Sequence, residues 1–209
     1  MDNRGMVGFY GNNVARQAQR RFLTGGGRER RQEQDHREAA ADVVGCCWML
    51  SLNDLYGVGA ERFRRVMDTV NAEGDRFGLN KRKLGVVAAQ RKLDEELGLD
   101  GDFGFLLPVV RPPRKKRDWE LLNEQRDAAT WTVKLYIRAT RKALGYGPER
   151  MEKVVRRTEE NFRHFGEYAE SGDYYGYKAL AERLEQILHE PVGVAEEPGK
   201  GPVFADSLT

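Results

Sequence analysis

Residues 55–66 read LYGVGAERFRRV, and residues 143–154, which follow 88 positions later, read ALGYGPERMEKV. The two stretches share both glycines, the Glu-Arg pair and a valine. At the same offset Trp48 aligns with Tyr136, again without a gap. Because self-similarity at a fixed offset is the usual sign of a repeated structural unit, the sequence predicts an internal duplication.

The shared glycines predict a tight corner between two helices in each copy. Gly57 and Gly145 stand where a helix ends and a left-handed residue is favoured. Gly59 and Gly147 stand where the next helix begins, and Pro148 occupies the first helical position, which proline tolerates. Each copy is therefore predicted to contain a helix, a Gly-x-Gly corner and a second helix.

The spacing of apolar residues predicts three helices in each copy. The stretch before Gly57 is densely apolar and free of proline, and apolar residues after the corner recur at i, i+3, i+4 and i+7. A third helix is predicted from Asn80, as its N-cap, to Leu97, with Gly98 as its stop. In the second copy the same pattern predicts one long helix up to Leu144 and two further helices before the tail.

These patterns predict an all-α protein built from two related three-helix units. The five predicted parts are a basic, flexible arm (1–34), helical unit 1 (35–99), a Gly/Pro-rich basic linker (100–116), helical unit 2 (117–190) and an acidic, flexible tail (191–209). The apolar run 103–107 in the linker is the one candidate for a short extended segment docked on a core.

The net charge of +2 conceals two basic islands. Residues 14–31 hold six arginines and one acid, and residues 111–117 hold five cations and no acid. Such clusters gain affinity for a polyanion by releasing phosphate counterions, so they are predicted contacts for DNA, RNA or a nucleic-acid-bound partner. The candidate contacts, including those of the two corners, are Arg16, Arg20, Arg21, Arg28, Arg30, Arg31, Gly57, Gly59, Arg62, Arg111, Arg114, Lys115, Lys116, Arg117, Gly145, Gly147 and Arg150.

Residues 55–59 resemble the Gly-apolar-Gly hairpin of helix-hairpin-helix DNA-binding modules. In that family the backbone amides of the hairpin bind phosphate, and the resemblance implies a flanking role for Arg62 and Arg150. Two features depart from the family. Phe63 and Met151 stand where a small residue is usual, and the two copies lie farther apart than is normal for paired motifs.

Residues 144–151, LGYGPERM, resemble a second kind of segment, with aromatic-Gly-aromatic-Gly-x-x-Arg ahead of an amphipathic helix. Small helical proteins of phages and mobile elements of Gram-positive bacteria carry it, and residues 56–63 resemble a diverged second copy. The genes of such proteins lie among inhibitors of host defence, including anti-CRISPR proteins. The resemblance implies that setting by association and supplies no catalytic residue.

The sequence offers no pattern typical of an enzyme, a metal site or a membrane span. Its three histidines lie on separate predicted segments, and Cys46-Cys47 lacks the spacing of a zinc site, so no cofactor or metal is predicted. No phosphate-binding loop or nucleophile elbow is present. No apolar stretch is long enough for a bilayer span, and the start lacks a signal peptide, which together predict a cytoplasmic protein of a bacterial host.

Three functional hypotheses follow. The first is a non-enzymatic binding protein that inhibits a host-defence nuclease of the anti-CRISPR type, by binding the CRISPR effector nuclease or its nucleic-acid complex. The second is a double-stranded DNA-binding accessory protein that uses both Gly-x-Gly corners and the basic segments. The third is an enzyme of an uncatalogued kind.

Overall fold

The structure is a computed structural model, and it describes residues 28–98, 113–197 and 201–205. This part of the chain forms six helices and one β-hairpin, so the all-α prediction is confirmed. The helices are α1 (Arg28–Tyr56), α2 (Ala60–Leu84), α3 (Val86–Leu97), α4 (Lys116–Leu144), α5 (Pro148–Ala169) and α6 (Asp173–Leu188). The strands are β1 (Gly193–Glu197) and β2 (Gly201–Ala205).

The two long helices α1 and α4 lie side by side and point in the same direction. Near their middle, the rings of Trp48 and Tyr136 lie 5.9 Å apart, and Trp48 Nε1 donates a hydrogen bond of 3.1 Å to Thr140 Oγ1. At their carboxyl ends, the rings of Tyr56 and Tyr146 lie 5.0 Å apart. In each contact the partner lies about 90 positions later in the sequence. Because this separation stays nearly constant from one contact to the next, the two helices must run in the same direction.

The helix after each corner crosses to the other long helix. Helix α2 packs along α4, where the Tyr136 hydroxyl lies 3.4 Å from Met67 Sδ. Helix α5 packs along α1, where Thr158 and Asn161 each form a 3.1 Å hydrogen bond with the Ser51 hydroxyl. The third helices follow the same plan, since α3 packs on α2 and α6 on α5.

Because of this crossing, the two predicted units share a single hydrophobic core. Its fully buried side chains come from both halves, including Trp48 and Phe63 from the first and Val133 and Leu184 from the second. The pattern of helix contacts is the same when the two halves are exchanged. The duplication itself stays a prediction from the sequence.

The contact between α1 and α4 explains a glycine in the middle of α1. A Cβ added at Gly45 would lie 2.7 Å from the Tyr136 hydroxyl oxygen and 3.3 Å from its Cζ, and the Tyr136 ring is buried. An Ala at this position would gain about 1 kcal/mol of helix propensity. The overlap costs more than that, because a packed core gives way only by shifting a side chain or backbone, at about 1–3 kcal/mol.

We therefore expect Gly45→Ala to lower the free energy of unfolding by about 1 kcal/mol in the wild-type background, despite its better propensity. In a Tyr136→Phe background the clashing oxygen is gone, and the same change should be neutral or stabilising. Urea unfolding of the four proteins of this double-mutant cycle measures the difference. Equal effects of Gly45→Ala in both backgrounds would show that the two helices do not meet at this position.

The predicted start of the third helix is wrong in the first copy. The third helix does not begin at Asn80, because α2 continues to Leu84. The break falls at Gly85, whose φ of 83° favours glycine over other residues, and α3 begins at Val86. The stop at Gly98 is confirmed, with a left-handed φ of 68°.

The prediction of a flexible tail is wrong for most of the residues after Leu188. Strands β1 and β2 pair in antiparallel register, with Val194 opposite Phe204. Phe204 is only 1 % exposed, and its ring lies 4.9 Å from the ring of Tyr177 on α6. The hairpin forms because this apolar residue is buried against the helical core.

The first predicted boundary also moves, because α1 begins at Arg28 and residues 28–34 are therefore helical instead of part of an arm. Several predicted contacts cannot be placed in the fold. The candidates Arg16, Arg20, Arg21 and Arg111, and the apolar run 103–107, lie outside the described residues.

Candidate interaction surface

Both Gly-x-Gly corners have the backbone that the sequence predicts. Gly57 and Gly145 adopt left-handed conformations, with φ of 57° and 68°. Gly59 and Gly147 are extended and precede the first residues of α2 and α5. The two corners lie beside each other, because Tyr56 of one touches Tyr146 of the other.

The arginines of the two corners are engaged within the fold. The Arg62 guanidinium donates a hydrogen bond of 2.6 Å to the carbonyl oxygen of Gly57, the residue that follows the end of α1. The Arg150 guanidinium lies 5.6 Å from the ring centre of Tyr56 and 5.0 Å from that of Tyr146, so it makes cation–π contacts with both. These contacts give both arginines a structural role, and their contact with phosphate stays a prediction.

The direction of the helices defines two ends of the molecule. The corner end holds residues 57–59 and 145–147, and we call the opposite end, where α1 and α4 begin, the distal end. Helices α2 and α5 run from the corners towards the distal end. In α2, Met67 near the corner contacts Tyr136 of α4, whereas the ring of Phe77 lies 5.5 Å from the ring of Trp131, which is closer to the start of α4. The turns from α2 to α3 and from α5 to α6 therefore lie away from the corners, on the side that faces the distal end.

The parallel pairing also brings the described residues of the two basic islands to this end. Arg28, Arg30 and Arg31 lie in the first turn of α1. The second island ends at the start of α4, where the described residues of the island are Arg114, Lys115, Lys116 and Arg117. These two groups are far apart in sequence and are thus placed at one end of the fold, opposite the two corners.

Most of the exposed large apolar side chains lie away from the corners. Nine large hydrophobic or aromatic side chains are exposed among the described residues, and only Leu55 lies near a corner. We call the other eight the distal surface; they are Leu79, Leu84, Val86, Val87, Trp119, Tyr168, Tyr174 and Tyr175. Contiguous exposed apolar side chains, such as Leu84, Val86 and Val87 at the turn from α2 to α3, are typical of an interaction site.

A cavity of about 220 Å³ opens beside this surface, between α1, α2, α3 and α4. Its apolar wall comes from Phe77, Val86, Trp131 and Leu135. The charged groups at its edge are Arg37, Glu38, Lys81 and Asp127. Arg37 forms an ion pair with Glu124 of α4, which links the two long helices close to the opening.

A cluster of charged side chains joins three of the helices. Between α1, α5 and α6, Asp54 accepts hydrogen bonds from Arg157 at 2.9 Å and from Arg183 at 3.1 Å. The Asp54 and Glu160 carboxylates together raise the pKa of Arg157 above its ordinary value, mainly through its hydrogen bond to Glu160. These contacts join α1, α5 and α6.

The adjacent cysteines of α1 are part of the hydrophobic core. Cys46 and Cys47 are both buried and form no disulfide. Burial raises the pKa of the Cys47 thiol well above its ordinary value, which keeps it protonated and unreactive at neutral pH. In the part of the chain that the structure describes, no group of three His, Cys, Asp or Glu residues is arranged to hold a metal ion.

Comparisons with family models, with curated proteins and with solved structures gave no match to this chain. Among the described helices, none combines the length and the apolar character that crossing a membrane requires.

The sequence predicts the corners correctly but not the exposed apolar residues at the turn from α2 to α3. The 3.6-residue period places Val86 on the apolar face of a helix from Asn80 to Leu97, with Leu84 and Val87 beside it, whereas all three are exposed in the structure. The available signal was Gly85, a glycine inside a run of apolar residues, which is a common site for a break.

Proposed function

We propose that this chain is a non-enzymatic binding protein that inhibits a host-defence nuclease by docking its distal surface on the nuclease or on its nucleic-acid complex. The observation that carries the proposal is that, among the described residues, eight of the nine exposed large apolar side chains lie away from the corners. Aromatic residues such as Trp119, Tyr174 and Tyr175 are enriched at the centres of protein interfaces.

The charges at the same end support a partner that carries nucleic acid. Arg114, Lys115 and Lys116 are exposed at the start of α4, close to the start of α1 with its own arginines. Cations around an apolar centre favour encounter with a negatively charged complex and set the orientation of docking. The resemblance of residues 144–151 to segments of phage and mobile-element proteins makes a CRISPR effector nuclease the first partner to test.

The first test is inhibition of DNA cleavage by a panel of purified, guide-loaded effector nucleases. We expect the full chain to stop cleavage by at least one nuclease and to form a stoichiometric complex with it. A triple variant, Val87→Ser, Trp119→Ser and Tyr175→Ser, removes three exposed side chains of the distal surface. They lie near the starts of α3, α4 and α6. It should need at least ten times more protein for the same inhibition.

The matched control is Leu55→Ser, which removes an exposed apolar side chain at the corner end and should inhibit like the wild type. Thermal melting of each variant checks that it is folded. Failure of the wild-type chain against the whole panel would contradict the proposal, and so would equal inhibition by the triple variant.

The convergence of the basic islands favours direct binding of duplex DNA as a second candidate function. In that case affinity should fall steeply with salt, because each neutralised phosphate releases a counterion. Arg114→Ala with Lys115→Ala should then weaken binding more than Arg62→Ala with Arg150→Ala, since the corner arginines are engaged within the fold. Salt-independent binding would exclude this candidate.

A further inference from the structure

We propose that the turn between α2 and α3 binds an acidic, amphipathic helix of a partner protein, with one apolar side chain of that helix seated in the cavity beside Trp131. The identity of the partner rests on the proposed function, whereas the chemistry of this site rests on the turn itself. Three features of the turn define this chemistry: its exposed apolar side chains, the cavity beside it and the positive charge around it.

The turn exposes apolar side chains that the fold does not use. Only Gly85 separates the two helices, and its positive φ turns the chain sharply between them. Leu84, Val86 and Val87 on either side are 52 %, 46 % and 71 % exposed. Covering them would be favourable by about 25 cal/mol for each Å² of apolar surface removed from water.

The cavity next to the turn provides a place for one large side chain. Val86 belongs both to the exposed turn and to the cavity wall, so the two form one continuous surface. A volume of about 220 Å³ exceeds the about 150 Å³ of an apolar cavity that holds benzene. A leucine or phenylalanine of a partner helix therefore fits against Phe77, Trp131 and Leu135.

The charge around the turn selects an acidic partner. Between Leu79 and Leu93 the chain has no acidic residue and five cations, which are Lys81, Arg82, Lys83, Arg91 and Lys92. Arg82, Lys83 and Arg91 are exposed. The acids Glu38 and Asp127 lie across the cavity on α1 and α4, so the carboxylates of a bound helix would face α2 and α3.

The chemistry of the turn favours a protein helix over nucleic acid or a membrane. The exposed side chains Leu84, Val86 and Val87 are aliphatic, whereas single-stranded nucleic acid binds by stacking its bases on aromatic rings. A membrane would cover the protruding residues but would leave the cavity without a side chain. Apolar residues at i, i+3, i+4 and i+7 of a helix would occupy the cavity and cover the turn together.

The probe is a synthetic helix of about 18 residues, or five turns, with leucine and phenylalanine on one face and glutamate elsewhere. A second peptide has lysine for every glutamate, and a third has alanine for every apolar residue. Fluorescence anisotropy with the full chain measures their affinities. We expect binding of the glutamate peptide only, with an affinity that falls as salt increases.

Charge reversal locates the binding site. Arg82→Glu with Lys83→Glu should weaken binding of the glutamate peptide at least tenfold, and Val87→Asp should do the same. Arg65→Glu with Lys153→Glu makes the same change of charge at exposed positions near the corner end, and it should alter affinity less than twofold.

Several results would overturn the proposal. They are equal binding of the glutamate and lysine peptides, binding of duplex DNA or anionic vesicles at this turn in place of the peptide, and a concentration-dependent dimer that Val87→Asp abolishes. Binding of the peptide only after deletion of residues 1–27 would instead make the chain's own arm the occupant. A chain that binds the peptide but inhibits no nuclease would overturn the proposed function alone.

Discussion

Replacing Glu73 by alanine is expected to lower the free energy of unfolding by about 3 kcal/mol. The Glu73 side chain is 7 % exposed and lies 2.5 Å from Nε of Arg138 on α4, whose side chain is 12 % exposed. The Lys142 ammonium also pairs with Glu73, and Arg76 lies 3.7 Å away. Without Glu73, the buried Arg138 guanidinium of α4 would face α2 with too little negative charge to compensate its burial.

Glu96 moderates this effect, because it forms a second ion pair with Arg138. We therefore place the expected loss at the lower end of the range of about 3–5 kcal/mol for a broken buried pair. Urea unfolding measures it. The matched control is Glu152→Ala, which removes an exposed i,i+4 pair with Arg156 and should cost less than about 0.5 kcal/mol. Similar losses for both variants would mean that the Glu73 cluster is not buried in solution.

Replacing Trp48 by alanine is expected to cost about 4 kcal/mol, because it leaves a large cavity between α1 and α4. Trp48 is fully buried, and its ring packs against Tyr136. Its Nε1 hydrogen bond to Thr140 is also lost. Because both long helices belong to the single core, we expect the loss to appear as one cooperative transition at lower denaturant, with no early step for either half.

Two comparisons separate packing from hydrogen bonding. Thr140→Val keeps the volume but leaves the Trp48 N–H without its partner, which should cost about 1–3 kcal/mol. Trp119→Ala removes a half-exposed tryptophan at the start of α4 and should cost less than about 1 kcal/mol. Two separate unfolding transitions in Trp48→Ala would contradict a core shared by both halves.

Local sequence was sufficient for the features that depend on a few neighbouring residues. The helices after each corner, the glycines that end α1 and α4, and Pro148 at the first position of α5 were all predictable. Their signals are backbone conformation and the 3.6-residue period, which act over one or two turns. The basic islands were equally plain as clusters in the sequence.

The same local reasoning failed where tertiary packing decides. The run from Asn80 to Leu97 has the pattern of one helix, but Gly85 ends α2 and leaves Val86 and Val87 exposed. The tail appeared too polar to fold, but Phe204 is buried against Tyr177 and holds the hairpin in place. The break at Gly85 interrupts an unbroken apolar period, and the contact of Phe204 with Tyr177 lies beyond the one or two turns that such a period covers.

The sequence by itself determined the helices, the two corners and the two basic islands of this protein, because backbone preference and charge are local properties. Only the tertiary structure decided that α1 and α4 run parallel, that Trp48 meets Tyr136, and that α2 and α5 cross to the opposite long helix. That arrangement arises because each helix must bury its apolar face against whichever surface completes the core. It separates the corners from the described residues of the basic islands, which lie where the two long helices begin.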